Sequence, residues 1–76
     1  MDLPRRLAKL LLSQPRSDDG VIREKMTQEE LARLVGGTRQ SVNVALRGFE
    51  RRGWIEVRDR IVMVKQAAAL SRFAGN

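Results

Sequence analysis

Apolar positions recur along this chain at helical spacing in four places and at strand spacing in three. Leu3, Leu7, Leu10 and Leu11 share one helical face, with Asp2 as a cap and Pro4 in the first turn, so a helix is expected from there to Ser13–Pro15. Residues 14–20, QPRSDDG, are turn chemistry: Pro15 and Gly20 break regular structure, and Ser17, Asp18 and Asp19 offer local hydrogen bonds. Val21 to Lys25 then reads as a short strand.

Thr27 followed three residues later by Glu30 is a capping box, which starts a second helix at Gln28. Its apolar face is expected to be Leu31, Leu34 and Val35, with Ala32 small enough for a close crossing. Gly36 and Gly37 stop it, because glycine takes the left-handed turn conformation without steric cost. Thr38 can cap a third helix, in which Val42, Ala45, Leu46 and Phe49 follow the i, i+3, i+4, i+7 rule and face inward.

Gly53 ends that helix. Trp54 to Val57 alternate as a strand, Arg58, Asp59 and Arg60 form a tight reversal, and Ile61 to Val64 return as the partner strand. Residues 67 to 74 resume helix, with Leu70 and Phe73 as a small apolar contact, and Gly75 with Asn76 reads as a frayed end. The expected fold is α+β and mainly α: a winged helix-turn-helix with a three-helix core, a small β-hairpin wing and a short C-terminal helix. Residues 1–76 form a single domain of this kind.

Composition narrows the function. The 76 residues contain no cysteine and no histidine, so the usual zinc sites and nucleophilic dyads cannot be built. No catalytic residue and no metal-ligand set stands out, and an enzyme is not expected. The absence of cysteine fits a reducing cytoplasm, and no apolar run approaches the roughly 20 residues of a membrane span. The formal charge is +6 and unevenly placed: residues 38–65 carry seven basic against three acidic side chains, while residues 17–30 carry two against five. The positive excess therefore follows the third helix and the hairpin, a footprint that suits nucleic acid, double-stranded DNA included, and by charge alone suits a bland basic surface equally well.

On the third helix, Gln40, Val44, Arg47 and Arg51 lie opposite Val42, Asn43 sits beside them, and Arg39 and Ser41 flank the stripe at the first turn. Arginine pairs bidentately with guanine, glutamine and asparagine pair with adenine, and valine can rest on a thymine methyl. Arg39, Gln40, Asn43, Val44 and Arg47 are thus the candidate base readers. Thr27, Gln28, Thr38, Ser41, Arg51, Arg58 and Arg60 are the candidate phosphate contacts, the threonines through helix N-termini and Arg58 and Arg60 through the wing. A solvated helix face is the bland alternative, and the capped helix, glycine turn and hairpin around the stripe weigh against it. Trp54 could stack on a base but reads better as core. A winged helix that meets a partner protein without reading DNA is the alternative function. RNA is disfavoured, because its A-form major groove would not admit this helix.

The segments DLPRRLAKLLL, MTQEELARLVGGTRQSV and LRGFERRGWIEV with RIVMV resemble the C-terminal DNA-binding domain of the Crp/Fnr family of bacterial transcription regulators, the family of the cyclic-AMP receptor protein. The resemblance rests on Thr-x-x-Glu-Leu-Ala, Gly-x-Thr-Arg and Gly-Trp-Ile at their spacing. It implies a base-contacting role for Arg39 and backbone contacts for Thr27, Gln28 and Thr38. Gln40 stands where glutamate is common and Val44 where many members carry arginine, so a different operator is expected. The resemblance also implies a piece of a longer protein, lacking an N-terminal sensor with its dimerising helix. A natural single-domain protein is the alternative. In the longer protein a homodimer would bind a palindrome, a small-molecule effector would act in the sensor, and this domain itself would hold no cofactor. The loop Arg16 to Gly20 falls near a surface that some members turn to RNA polymerase.

Overall fold

The amphipathic helices assemble around one seam. In the computed structural model, which describes residues 2–75, the order is α1 (Leu3–Leu12), β1 (Ile22–Glu24), α2 (Gln28–Val35), α3 (Arg39–Arg51), β2 (Ile55–Arg58), β3 (Ile61–Val64) and α4 (Ala67–Ala74). Val42, Ala45, Leu46 and Phe49 of α3 are buried at the centre, as their spacing requires. Leu7 and Leu11 of α1, Leu31 and Val35 of α2, and Leu70 of α4 pack into the same core. The sheet contributes Ile22, Ile55, Val62 and Val64 from its inner face.

The helix ends follow the local chemistry. Asp2 accepts a hydrogen bond from the Arg5 amide at 3.0 Å to start α1. Thr27 and Glu30 form both halves of the capping box at 3.1 Å each. Gly36 closes α2 with φ of 75°, and its neighbour Gly37 lies so close to Leu3 that an added Cβ would collide with that side chain. The turn between α2 and α3 is thereby pressed against the start of α1. Gly75 caps α4 at φ 91°, and Asn76 lies outside the described residues.

Leu34 departs from its expected inward position and is 61% exposed. At 100° per residue, the buried stripe Leu31, Ala32 and Val35 leaves Leu34 about 105° from its centre. The wing is also larger than a hairpin. β1 joins it as a third antiparallel strand in the order β1-β3-β2, with Ile22 opposite Val64 and Glu24 opposite Val62. The hairpin alone would leave one edge of β3 unpaired, and β1 supplies the missing backbone partners.

β1 also buries a residue that its own segment does not mark as core. Glu24 is 5% exposed, facing inward like Ile22; its Oε1 accepts from the Met26 amide at 2.9 Å, while Oε2 is buried with no hydrogen-bond partner among the described residues. Trp54 is half-buried against Phe49 and Phe73, with ring centroids 6.0 and 5.6 Å away, and the Arg52 guanidinium lies 5.2 Å above it. This is the structural role expected of Trp54, since the ring is occupied on the protein side.

The loop before β1 is held by its own charges. Asp19 receives a two-pronged pair from Arg23, at 3.0 and 2.7 Å, and the Val21 amide at 3.1 Å. The Arg23 hydrogen bonds, followed by the Val21 amide, lower the Asp19 pKa from 3.8 to about 2. A carboxyl depressed on folding stabilises the native form above its unfolded pKa and loses that contribution as pH falls through the folded value. The effect therefore falls between about pH 4 and about pH 2. Two outcomes are expected. Carboxyl NMR titration should give Asp19 a midpoint near 2 that rises toward 3.8 in Arg23→Gln; an unchanged midpoint would remove Arg23 as its cause. Val42→Asp places a charge at a fully buried site and should cost about 3–5 kcal/mol, enough to abolish the helical circular dichroism of so small a domain.

Candidate nucleic-acid interface

The exposed face of α3 is built from its first residue. Thr38 caps the helix: its Oγ1 accepts from the Ser41 amide at 3.0 Å, and its hydroxyl donates to Ser41 Oγ at 2.9 Å. These bonds set Arg39 and Gln40 in the first turn, where both are exposed. Val44 is 63% exposed, Arg47 and Arg51 are exposed, and Asn43 is half-buried at the side of the stripe. The first turn holds no acidic residue, so the positive end of the helix dipole is uncompensated there. None of the ion pairs among the described residues engages Arg39, Arg47, Arg51 or Arg60.

Four candidate residues from three elements meet around one groove. Thr27 and Gln28 at the start of α2, Arg39 at the start of α3 and Arg60 in the hairpin turn line a concavity of about 440 Å³, floored by Leu46 and Val62. Thr27 and Glu30 are already committed to each other through the cap, and the Thr27 amide and hydroxyl hold the Glu30 carboxyl below its ordinary pKa. An anion at this helix start would therefore meet a donor set partly used by the protein.

The two wing arginines differ. Arg60 occupies the two-residue turn with Asp59, both with positive φ, 65° and 52°, and its side chain faces the groove. Arg58 ends β2 and pairs with Glu56 at 2.7 Å, while Lys65 approaches the same carboxylate at 3.9 Å. An exposed pair of this kind is worth about 0–1 kcal/mol, so Arg58 can be recruited by a stronger anion but starts with a competitor. Thr38 and Ser41 lie apart from the groove; Ser41, with Gln40 and Val44, borders a second recess between α3 and the start of α1. Leu3 and Pro4 complete that recess and do not stand out in the sequence, because only the packing of α1 on Gly37 brings them there.

Comparison with known proteins agrees with this geometry. Residues 5–73 match the family model described as the Crp-like helix-turn-helix domain. The chain is 39% identical over 79 aligned positions to a CRP-like cAMP-activated global transcriptional regulator of Mycobacterium tuberculosis, covering 96% of this chain and 35% of that protein. Among solved structures, a CRP-family transcriptional regulator from Thermus thermophilus superposes with a TM-score of 0.85 at 32% identity, over 100% of this chain and 42% of the other. The CO-dependent transcription factor CooA from Carboxydothermus hydrogenoformans gives 0.79 at 31% identity, over 96% and 37%. A buried α3 seam, a capped α2, a glycine turn and a three-stranded wing are thus set in a fold shared with these regulators, and this chain belongs to the family of Crp-like helix-turn-helix domains.

Proposed function

We propose that this domain binds double-stranded DNA in a sequence-specific manner as part of a bacterial transcription regulator, inserting α3 from Arg39 into the major groove. The observation that carries this reading is the outward stripe of Gln40, Val44 and Arg47 behind an uncompensated helix N-terminus. Arg39 and Arg47 suit guanine, Gln40 and Asn43 suit adenine, and Val44 offers an apolar contact. Arg60, Thr27, Gln28, Thr38, Ser41 and Arg51 ring that stripe and act on the phosphates, with Arg58 joining when it exchanges Glu56 for DNA. Phosphate contacts fix register and orientation, and the base readers supply specificity.

The chain spans 35% of the curated relative's length, so the wider assembly also belongs to the proposal. A sensor domain elsewhere in the polypeptide takes a small-molecule effector, and a two-fold homodimer sets two copies of α3 on half-sites about one helical turn, ~34 Å, apart. No cofactor is assigned to this domain, and no catalytic step. The Arg16–Gly20 loop is the candidate contact with RNA polymerase; Asp18 and Asp19 are both exposed on it, and Asp19 is paired with Arg23. Regulation of transcription places the protein in the cytoplasm, and no helix among the described residues is long and apolar enough to cross a membrane.

Two experiments test the reading. Arg39→Ala should lose about 1–3 kcal/mol of binding and relax one base position, whereas Arg60→Ala should weaken all sequences alike and lower the salt slope by about 1; titrations on a site selected from random DNA and on scrambled DNA separate the two effects. Equal losses on both DNAs from both variants would remove the base-reading role of Arg39. Gln40→Glu should shift preference from adenine toward cytosine at one position, and a repeat selection that returns the original motif would overturn the assignment of Gln40.

A further inference from the structure

Val44 is an anomaly on a polar face. Among the described residues only Leu34 and Val44 are large hydrophobic side chains left exposed, and Leu34 stands on α2, away from the stripe. Val44 lies in the stripe one turn after Gln40 and three residues before Arg47. Beside it opens the shallow recess of about 390 Å³ lined by Leu3, Pro4, Gln40, Ser41, Val44 and Ala45. Four of those six side chains are apolar, and two of the four come from α1. An exposed β-branched residue in mid-helix gains nothing from helix propensity, and its apolar surface stays in water unless a partner covers it.

We infer that Val44 and this recess read the C5 methyl group of a pyrimidine, so that the domain distinguishes methylated from unmethylated pyrimidine at one position of its site. The inference rests on the major-groove reading above and deepens it. In that groove thymine presents O4 and a C5 methyl, while cytosine presents an amino donor and no methyl. The apolar lining offers the methyl contact and no hydrogen bond that could tell the two exocyclic groups apart. The neighbouring Gln40 amide is taken up by its own adenine in the reading above, with its donor and acceptor both used, and does not interrogate the exocyclic group of the pyrimidine beside Val44. A 5-methylcytosine, with its methyl where thymine has one, therefore substitutes for thymine, while unmethylated cytosine and deoxyuridine do not. Recognition becomes sensitive to cytosine methylation without any residue dedicated to that mark.

The test uses the full chain and the site selected from random DNA. Each thymine is replaced in turn by deoxyuridine, and cytosine or 5-methylcytosine is placed at the position that responds, with wild type and Val44→Ala compared throughout. Loss of one methyl contact should weaken binding about 3- to 5-fold, the worth of one buried methyl group, and 5-methylcytosine should recover most of that loss relative to cytosine. Val44→Ala should bind thymine and deoxyuridine nearly alike at that position, while its circular dichroism stays helical and its thermal midpoint does not fall, because the side chain is exposed and alanine is the better helix former. Equal affinities for thymine and deoxyuridine at every position, with sequence preference intact, would overturn the methyl reading and leave the DNA-reading helix standing. A methyl effect that persists in Val44→Ala would move it to another residue and likewise overturn the assignment. Absence of any sequence preference would overturn both.

Discussion

The rotation of α3 about its own axis is the constraint on which the rest of the structure depends. Burial of Val42, Ala45, Leu46 and Phe49 sets that rotation; each fully buried Val, Leu or Phe is worth about 1.5–3 kcal/mol. Turning the helix by one residue would expose Phe49 and drive charged side chains into a core shared by all four helices and the sheet. The outward direction of Gln40, Val44 and Arg47 follows from the same burial. An exposed face held in this way needs no dedicated scaffold, since the energy that folds the domain also aims the side chains.

Orientation along the axis is a separate matter, settled at the helix ends. Thr38 fixes where α3 begins, and Gly36 lets the chain reverse within a single left-handed residue. Gly37 then admits the Leu3 side chain, so α1 touches the turn as well as the core. The groove and the recess on either side of the α3 start are consequences of this contact: one is closed by α2 and the wing, the other by α1.

Helices, caps and the hairpin were legible in the sequence because each is a local property. Period 3.6 marks the buried face of α3, and the threonines before α2 and α3 are read from residues three apart. What escaped depends on partners distant in the chain. The short segment Val21–Lys25 reads as a strand, but its pairing with β3 some forty residues away follows only from the fold. The inward turn of Glu24 follows from that pairing, since period 2 places it with Ile22 once Ile22 is buried. Leu34 misled because an eight-residue helix offers two overlapping apolar faces, and packing selects one. For the interface the same division holds: helical geometry picks out the α3 stripe, whereas the Glu56 partner of Arg58 and the Leu3 and Pro4 wall of the recess come from tertiary structure.

The wing turn shows what a charged apex costs its own fold. Asp59 and Arg60 both adopt the left-handed conformation, as a two-residue reversal between twisted strands demands. Asparagine followed by glycine would meet that demand with little strain, whereas a side chain such as arginine is disfavoured there by roughly 1–2 kcal/mol. The hairpin therefore holds a cation at its apex against its own conformational preference. A version of this protein selected for thermal endurance alone would be expected to drift toward glycine at that apex, and the drift would remove the cation from the tip of the hairpin as the turn shed its strain.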